Sequence, residues 1–454
     1  MKFLRIPLHI QVILSMLMSL AFSYIYLHYD GSVAPLIYYL QPLGTLFINS
    51  LQLVVVPLIF TSLIVSINSI QDTKKLTRIG LKTIGLYLLT TLFAVSLGVG
   101  IGAYLQPGSF LSARIREILI LQGSNTQVVY PVSPIARFIP ENIFQLLGSN
   151  VNLLQIVLFA ILCGIIISQI KTSKSDEPTP LLVALCEAIR DTFMQIMSLI
   201  MHLSPIGIFG MITSQLLIIG EANKSNIMLF IKGLIPYTVS VIGGLLIMIV
   251  LVYPLLVSLF TRLKWGTFMR YIYPAQLVGF STSSSTAALR TTSEQVDKMG
   301  VARSIHQFVL PIGAVINIDG TALYQGVAIM FITQSFGLQL SWTQQLAVVI
   351  YVTLASVGEG GLPGGSLAGT AILLNMLGIP QESGLALIYL PDRILDMCRT
   401  ATNITGDAAV ATLIASMENK LKVPNKEKNK VVSSQPAAKE KKYRTIHKQK
   451  KDKK

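Results

Sequence analysis

Long apolar runs alternate with short polar breaks along most of this chain. Eight of the runs are long enough to cross a bilayer: residues 7–29, 37–68, 81–106, 150–170, 182–219, 230–260, 304–336 and 383–417. A spanning helix needs about 20 predominantly apolar residues, so the pattern predicts an all-α polytopic membrane protein with eight transmembrane helices. The first run follows Met1-Lys2 much as a secretory signal would. Its apolar part is too long for that and no small-residue cleavage site follows, so it is read as the first span.

The last third of the chain departs from this pattern. GFSTSSSTAALRTTS (279–293) carries an unbroken Ser/Thr series from Ser281 to Thr286, and ASVGEGGLPGGSLAG (355–369) is rich in glycine, with one Pro and one Glu. The apolar pieces beside them, YIYPAQLVGF, QQLAVVIYVTL and TAILLNML, are each too short to cross a core of roughly 30 Å. Irregular backbone at membrane depth is tolerated where protein buries it or a water-filled cavity borders it. Both stretches are therefore read as tips of re-entrant helical hairpins, near 268–297 and 343–375. An extramembrane loop in their place would carry more charge.

The order in this third is hairpin, span, hairpin, span. The first span holds NIDGT (317–321) and the second NITGD (403–407). Ser281 stands 36 residues before Asn317 (317 − 281) and Ser366 stands 37 before Asn403 (403 − 366). A repeated unit with broken helices is the sequence sign of a transporter's midplane site. Gly320 and Gly406 are expected to let both spans unwind locally and expose backbone carbonyls.

On the last span the polar positions are Asp392, Asp396, Arg399, Asn403 and Asp407, at intervals of 4, 3, 4 and 4. At about 100° per residue they fall within roughly 80° of the helix circumference. Each charge at the bilayer centre costs several kcal/mol (about 2.5 or more on the mildest scale), so this face must meet a cavity, partner charges or ligands. A structural ladder of Arg399 with Asp396 and Asp392 is one reading. Against it, three aspartates meet one arginine, because Arg393 is expected to point about 100° away from Asp392 on the wheel, and Asp319 adds a further carboxylate. An excess of buried carboxylates calls for a bound cation or protons. Arg399 offers a planar fork for a carboxylate, and Asp396, one turn away, can take an ammonium. Together they describe a site for an acidic amino acid.

Composition agrees with the membrane assignment. The chain of 454 residues is 52% hydrophobic and 13% charged, where soluble domains average roughly 25% charged, and its mean hydropathy is +0.63. The net charge of +15 could suggest nucleic acid, but fourteen Lys/Arg against three acidic residues between 420 and 454 put +11 of it in the tail. That tail is too polar to bury a core, so it is expected to be a disordered cytoplasmic end that contacts anionic lipid, with no nucleic-acid role. Basic clusters after the second, fourth and sixth runs, set against a loop HYDGSVAP without Lys or Arg, place both termini in the cytoplasm. Arg114 and Arg116 are the exception. Cys163, Cys186 and Cys398 have no CxxC spacing, so neither a disulfide framework nor a metal site is indicated.

GAVINIDGTALYQG (313–326), STSSSTAAL (281–289) and DRILDMCRTATNITGD (392–407) resemble the dicarboxylate/amino acid:cation symporters, the family of bacterial glutamate transporters and excitatory amino-acid transporters. The resemblance runs from VVVPLIFTSLI (54–64) to about Ala415. It implies a homotrimer in the inner (plasma) membrane, each subunit with eight spans and two re-entrant hairpins arranged as inverted repeats. Residues 1–80 and 107–229 would form the scaffold, and 81–106 with 230–419 a transport domain that moves like an elevator. The second hairpin would act as the gate.

The resemblance also implies roles. Arg399 would bind the side-chain carboxylate and Asp396 the amino group, with Thr400 and Asn403 on further polar atoms. Ser284 and Ser285 would hold the backbone carboxylate, and Thr321, Gly361 and Pro363 would complete the substrate site. Sodium, as co-transported substrate, would use Asp407 with Asn317 and Asn403, Asp319 with Tyr87, Thr90 and Thr91, and a gate-side position near Thr321, Ser356 and Gly358. No resident cofactor is implied, and protons are an alternative coupling ion.

Three positions depart from the family pattern. Ile318 replaces a common Met, Glu359 stands where a small or neutral residue is usual, and no second arginine occupies Ser283 or Met397. Glu359 is a candidate titrating group. Retention of both Asp396 and Arg399 favours glutamate or aspartate over a C4-dicarboxylate. An intramembrane aspartyl protease using Asp319 and Asp407 is disfavoured, because Arg399 would hold carboxylates ionised and the motif reads Thr-Gly-Asp. A passive channel would have no need of Arg399 facing Asp396. No Walker loop or HExxH is present, so the chain is not expected to be an enzyme.

Overall fold

The computed structural model describes residues 8–28, 33–68, 74–123, 153–173, 179–221, 225–359 and 365–422, with residues 142, 143, 148 and 223. In chain order the helices are α1 (Leu8–His28), α2 (Val33–Asn68), α3 (Lys74–Leu105), α4 (Ala113–Gly123), α5 (Leu153–Ser173), α6 (Thr179–Glu221), α7 (Ser225–Leu246) and α8 (Tyr253–Phe260). They continue as α9 (Trp265–Thr282), α10 (Ser285–Lys298), α11 (Arg303–Ile316), α12 (Asp319–Ser335), α13 (Trp342–Glu359), α14 (Gly365–Met376) and α15 (Gln381–Met417). A 3-10 turn, Pro107–Phe110, follows α3, and a π-helical turn, Ile247–Val252, joins α7 to α8. Extended pairing among the described residues is confined to a single bridge between Val301 and Leu421.

Six stretches among the described residues are long and apolar enough to cross a membrane: Ile10–His28, Val33–Val65, Arg78–Phe110, Leu181–Glu221, Ser225–Phe260 and Arg303–Ser335. The other two expected spans correspond to α5 and α15. In α5 the apolar helical stretch is Phe159–Ser168, and α15 has 37 residues but carries the polar series. Several helices begin before their apolar runs, α2 at Val33 and α3 at Lys74. Lys, Leu and Arg are good helix formers, so the backbone bonds continue past the apolar part.

Two groups of helices pack together. In one, α2 lies along α6, with α1 against α6 and α5 against α2. The other surrounds α12, which contacts α3, α7 and α15, while α9, α10 and α11 pack on α15. From Asp319 to Ser335 only Thr321 and Gln334 escape full burial. A helix enclosed on all sides is apolar all round, so this stretch has no amphipathic stripe. Small residues on α3, Gly98 and Gly102, face Leu323 and Met330 and bring the two backbones close.

The groups meet where α13 and α14 touch α2, and at the first turn of α15. There the Gln41 amide donates to Glu382 Oε2 at 2.9 Å, the Thr45 hydroxyl donates to Oε1, and the Gln52 amide donates to Gln381 Oε1 at 3.0 Å. At the other end of α15, Glu418 pairs with Arg78 at 2.6 Å and Lys82 at 2.8 Å. The Lys82 hydrogen bond, with smaller help from Arg78, holds the Glu418 carboxyl below the usual glutamate range against the opposing effect of burial.

Candidate functional site

The helix holding NIDGT is interrupted. α11 stops at Ile316 and α12 starts at Asp319, leaving Asn317 (φ −93°, ψ 96°) and Ile318 (φ −122°, ψ 46°) outside helical geometry. The helix holding NITGD is not interrupted: α15 runs from Gln381 to Met417 without a break, which corrects the expectation that both would unwind. Proximity accounts for the two glycines. A Cβ on Gly406 would lie 2.9 Å from both the Asn317 amide nitrogen and the Tyr253 hydroxyl, and one on Gly320 would lie 2.6 Å from the Arg399 carbonyl oxygen. Glycine at 320 lets α12 cross α15 closely, and glycine at 406 lets Asn317 and Tyr253 of α8 approach α15. The crossing is used at once, because Asn403 Oδ1 accepts the Gly320 N–H at 2.8 Å, satisfying one of the free donors that open a helix.

Beside this crossing lie two buried carboxylates. Asp319 is 0% exposed; Thr91 donates to Oδ1 at 2.6 Å and Tyr253 to Oδ2 at 2.7 Å. Asp407 is 3% exposed and accepts from the Asn317 amide at 2.9 Å. The Tyr87 hydroxyl donates to the Val309 carbonyl at 3.2 Å, and it flanks Gly313 together with Asp407 Oδ1. Thr90 donates to the Tyr87 carbonyl at 3.1 Å. The Asn317 side-chain oxygen is buried with no hydrogen-bond partner among the described residues. Among the described residues the ion pairs involve other groups and reach neither Asp319 nor Asp407. Nor do those residues include a cluster of three or more His, Cys, Asp or Glu, the donor set expected of zinc. Carboxylate, amide, hydroxyl and carbonyl oxygens are instead what a hard cation takes.

About one to two turns nearer the start of α15, Arg399 is 1% exposed. Its Nη2 donates to Asp396 Oδ1 at 2.9 Å and Asp392 Oδ1 at 3.1 Å, and Nη1 to Ser366 Oγ at 3.2 Å. The guanidinium carbon stands 4.1 Å from the centre of the Tyr324 ring, an arrangement that favours the cation. Nε has no partner. The ladder named as one reading of the sequence is thus formed. Arg393 corrects a second expectation. It reaches Asp396 Oδ2 at 3.1 Å, because Arg393, although about 100° from Asp392, stands three residues before Asp396 and about 60° from it, where side chains on a helix meet. Two arginines therefore balance Asp392 and Asp396, and the carboxylate excess resides on Asp319 and Asp407.

The remaining expected positions are dispersed. α9 and α10 form a pair joined at Ser283, which has φ 51°, and Ser284, whose hydroxyl caps α10 by accepting from the Ala287 N–H at 3.2 Å. Gly279, shortly before this turn, lies against Ile404 and Thr400. Ser284 and Ser285 are half-buried, and the described hydrogen bonds do not join them to Arg399. Thr400 is buried and donates to the Asp396 carbonyl at 2.9 Å. Thr321 is half-buried, and Ser356 is buried with its hydroxyl on the Thr353 carbonyl at 2.9 Å. Gly358 and Glu359 are the last residues of α13; their side-chain surroundings, and Gly361 and Pro363 altogether, lie outside the described residues. Three contacts were not anticipated: Tyr253, Tyr324 and Ser366. Ser366 already stood out as the repeat marker, and Tyr324 falls within the quoted ALYQG stretch.

Comparison with known proteins agrees with this architecture. The profile of the sodium:dicarboxylate symporter family matches residues 8–417. The chain is 30% identical to the proton/glutamate-aspartate symporter of Escherichia coli (strain K12) over 431 residues, 92% of this chain and 95% of that one. It is 29% identical to the proton/sodium-glutamate symport protein of Bacillus caldotenax, over 86% of this chain and 90% of the other. C4-dicarboxylate transport protein 1 of Ralstonia nicotianae is 28% identical, with coverages of 88% and 92%.

Proposed function

This chain belongs to the sodium:dicarboxylate symporter family and is a membrane transporter rather than an enzyme, and from that premise we propose that it takes up glutamate or aspartate by symport with sodium. The observation that carries the substrate reading is the buried Arg399 with Asp396 beside it, the Asp396 side chain being 34% exposed. An incoming side-chain carboxylate replaces Asp396 on the guanidinium, and Asp396, released, takes the ammonium of the same molecule. Every buried charge keeps a partner through this exchange, which avoids the penalty of an unpaired buried ion. A dicarboxylate without an amine leaves Asp396 to Arg393 alone, and so binds less well. Thr400, Asn403, Ser284, Ser285, Thr321, Gly361 and Pro363 complete the substrate site.

Sodium coupling is supported by Asp319 and Asp407, whose donors among the described residues are neutral, and by the Asn317 oxygen, which has no partner among them. Tyr87, Thr90, Thr91, Asn403, Ser356 and Gly358 are the further ligands. Protons are the second reading. They too neutralise buried carboxylates, and the relative in E. coli is named a proton symporter; Glu359 is then the added titrating group.

The two packing groups are the static and moving parts of an elevator, and the α9–α10 and α13–α14 pairs are re-entrant hairpins, the second being the gate. Eight spans, both termini in the cytoplasm, an inner-membrane location and a homotrimer complete the reading. Uptake of labelled L-aspartate and L-glutamate into proteoliposomes tests it, with and without an inward sodium gradient at fixed pH. Sodium-driven accumulation is expected. Sodium-driven uptake of succinate but of neither amino acid would contradict the role given to Asp396, and accumulation driven by a proton gradient alone would replace sodium by protons.

A further inference from the structure

The rod formed by α7 and α8 changes geometry in its middle. Residues Ile247–Val252 form a π-helical turn, which widens a helix and recurs at functional sites. Tyr253 is the first residue beyond it and is 0% exposed. Its hydroxyl donates to Asp319 Oδ2 at 2.7 Å. The same hydroxyl and the adjoining ring carbon lie where a Cβ on Gly406 would be 2.9 and 3.1 Å away. One side chain thus touches the NIDGT carboxylate and abuts NITGD, from a helix that carries neither. Thr91, on α3, holds the other oxygen of Asp319 at 2.6 Å, so the carboxylate is fixed from two sides.

A neutral donor suits this place. It fixes the direction of a carboxylate without cancelling its charge, whereas a lysine or arginine would occupy the site that a cation needs. Had α7 and α8 formed one regular helix without the added residue, Tyr253 would be turned by about 100° and its hydroxyl would leave Asp319. We propose that Tyr253 is a positioning residue of the cation site: its hydroxyl holds the Asp319 carboxylate in the orientation that receives sodium, without touching the amino acid. This rests on the sodium-coupled reading above.

The test is Tyr253→Phe in the full-length protein, reconstituted beside the wild type. Half-maximal sodium for aspartate uptake, half-maximal aspartate at saturating sodium, and the sodium-induced rise in melting temperature are all measured. Losing one hydrogen bond to a charged group is expected to raise half-maximal sodium about tenfold and to shrink the melting shift, with half-maximal aspartate moving less than about twofold. Tyr253→Trp, which keeps an aromatic ring without the hydroxyl, is expected to raise half-maximal sodium too and serves if Tyr253→Phe fails to accumulate. Unchanged sodium dependence in the variant beside a sodium-dependent wild type overturns the proposal alone. Equal loss of sodium and aspartate affinity overturns it as well, since general loosening would do that. A wild type indifferent to sodium removes the coupling reading and this proposal with it.

Discussion

Around Arg399, the carboxylates of Asp392 and Asp396 are matched by two guanidiniums. Around Asn317, the carboxylates of Asp319 and Asp407 have hydroxyls and an amide, and among the described residues no cation. Arg399 and Asp392 in one cluster are buried, as Asp319 and Asp407 are in the other, and both clusters involve α15, so the burial of these groups does not by itself distinguish them. Charge balance does. A balanced cluster exchanges ion pairs with an ampholyte at little electrostatic cost, while an unbalanced one lacks a positive charge that something outside the chain must bring. The doubled pentapeptide shows the same division. NIDGT breaks its helix and frees a side-chain oxygen, while NITGD keeps its helix and contributes Asn403 and Asp407 to the crossing.

The comparison breaks most visibly at Arg399. Arg399→Ala leaves Asp392 buried without an ion-pair partner among the described residues, since Arg393 pairs with Asp396, and removing one partner of such a pair costs about 4 kcal/mol. Uptake of aspartate and glutamate at low concentration is expected to fall by about a thousandfold while the protein still responds to sodium. Uptake near the wild-type level would show that the balanced cluster is structural only.

Asp407→Asn probes the other cluster. It removes a charge but keeps the shape, and half-maximal sodium for uptake is expected to rise about a hundredfold, from ~3 kcal/mol for a charged hydrogen-bonding group. A substitution that altered aspartate affinity at saturating sodium and left the sodium dependence intact would reverse the assignment of the two clusters.

Glu418→Gln gives the smallest effect and sharpens the comparison from outside the site, because Glu418 is an acid with ordinary surface partners. Its carboxyl is held low by Lys82 and Arg78. A depressed folded-state value means stability that is present above the unfolded glutamate range and is lost as pH falls through the folded value. Wild type is expected to melt above the variant near neutral pH by the equivalent of less than ~1 kcal/mol, and the gap is expected to close under acid. A gap that persists in acid would assign the difference to packing.

Much of this arrangement was legible in the residue spacing. Intervals of three and four on α15 put Asp392, Asp396 and Arg399 on one face, and they pair as helix geometry requires. The meeting of Asn317 and Asp407 across 90 residues was implied by the family resemblance, not by spacing. Other features were hidden for physical reasons. The wheel angle taken from Asp392 hid Arg393, whose partner is the i+3 neighbour Asp396. Glycine in a helix signals either unwinding or close approach, and only packing distinguishes the two at Gly406. Tyr253 sits in an apolar run, and its orientation depends on a π-helical turn that leaves no polar periodicity. Tyr324 was equally concealed, since a tyrosine in a buried helix reads as core until the guanidinium above it is seen.

The central claim is that the two clusters serve two ligands, and binding tests it more directly than transport. Sodium binding without amino acid, and aspartate binding at saturating sodium, can be measured by calorimetry on purified Arg399→Ala and Asp407→Asn. Arg399→Ala is expected to bind sodium within about threefold of wild type, under ~1 kcal/mol, and to lose aspartate, while Asp407→Asn loses sodium first. If Arg399→Ala lost sodium as fully as Asp407→Asn does, the two clusters would be one site, and the division drawn here would be wrong.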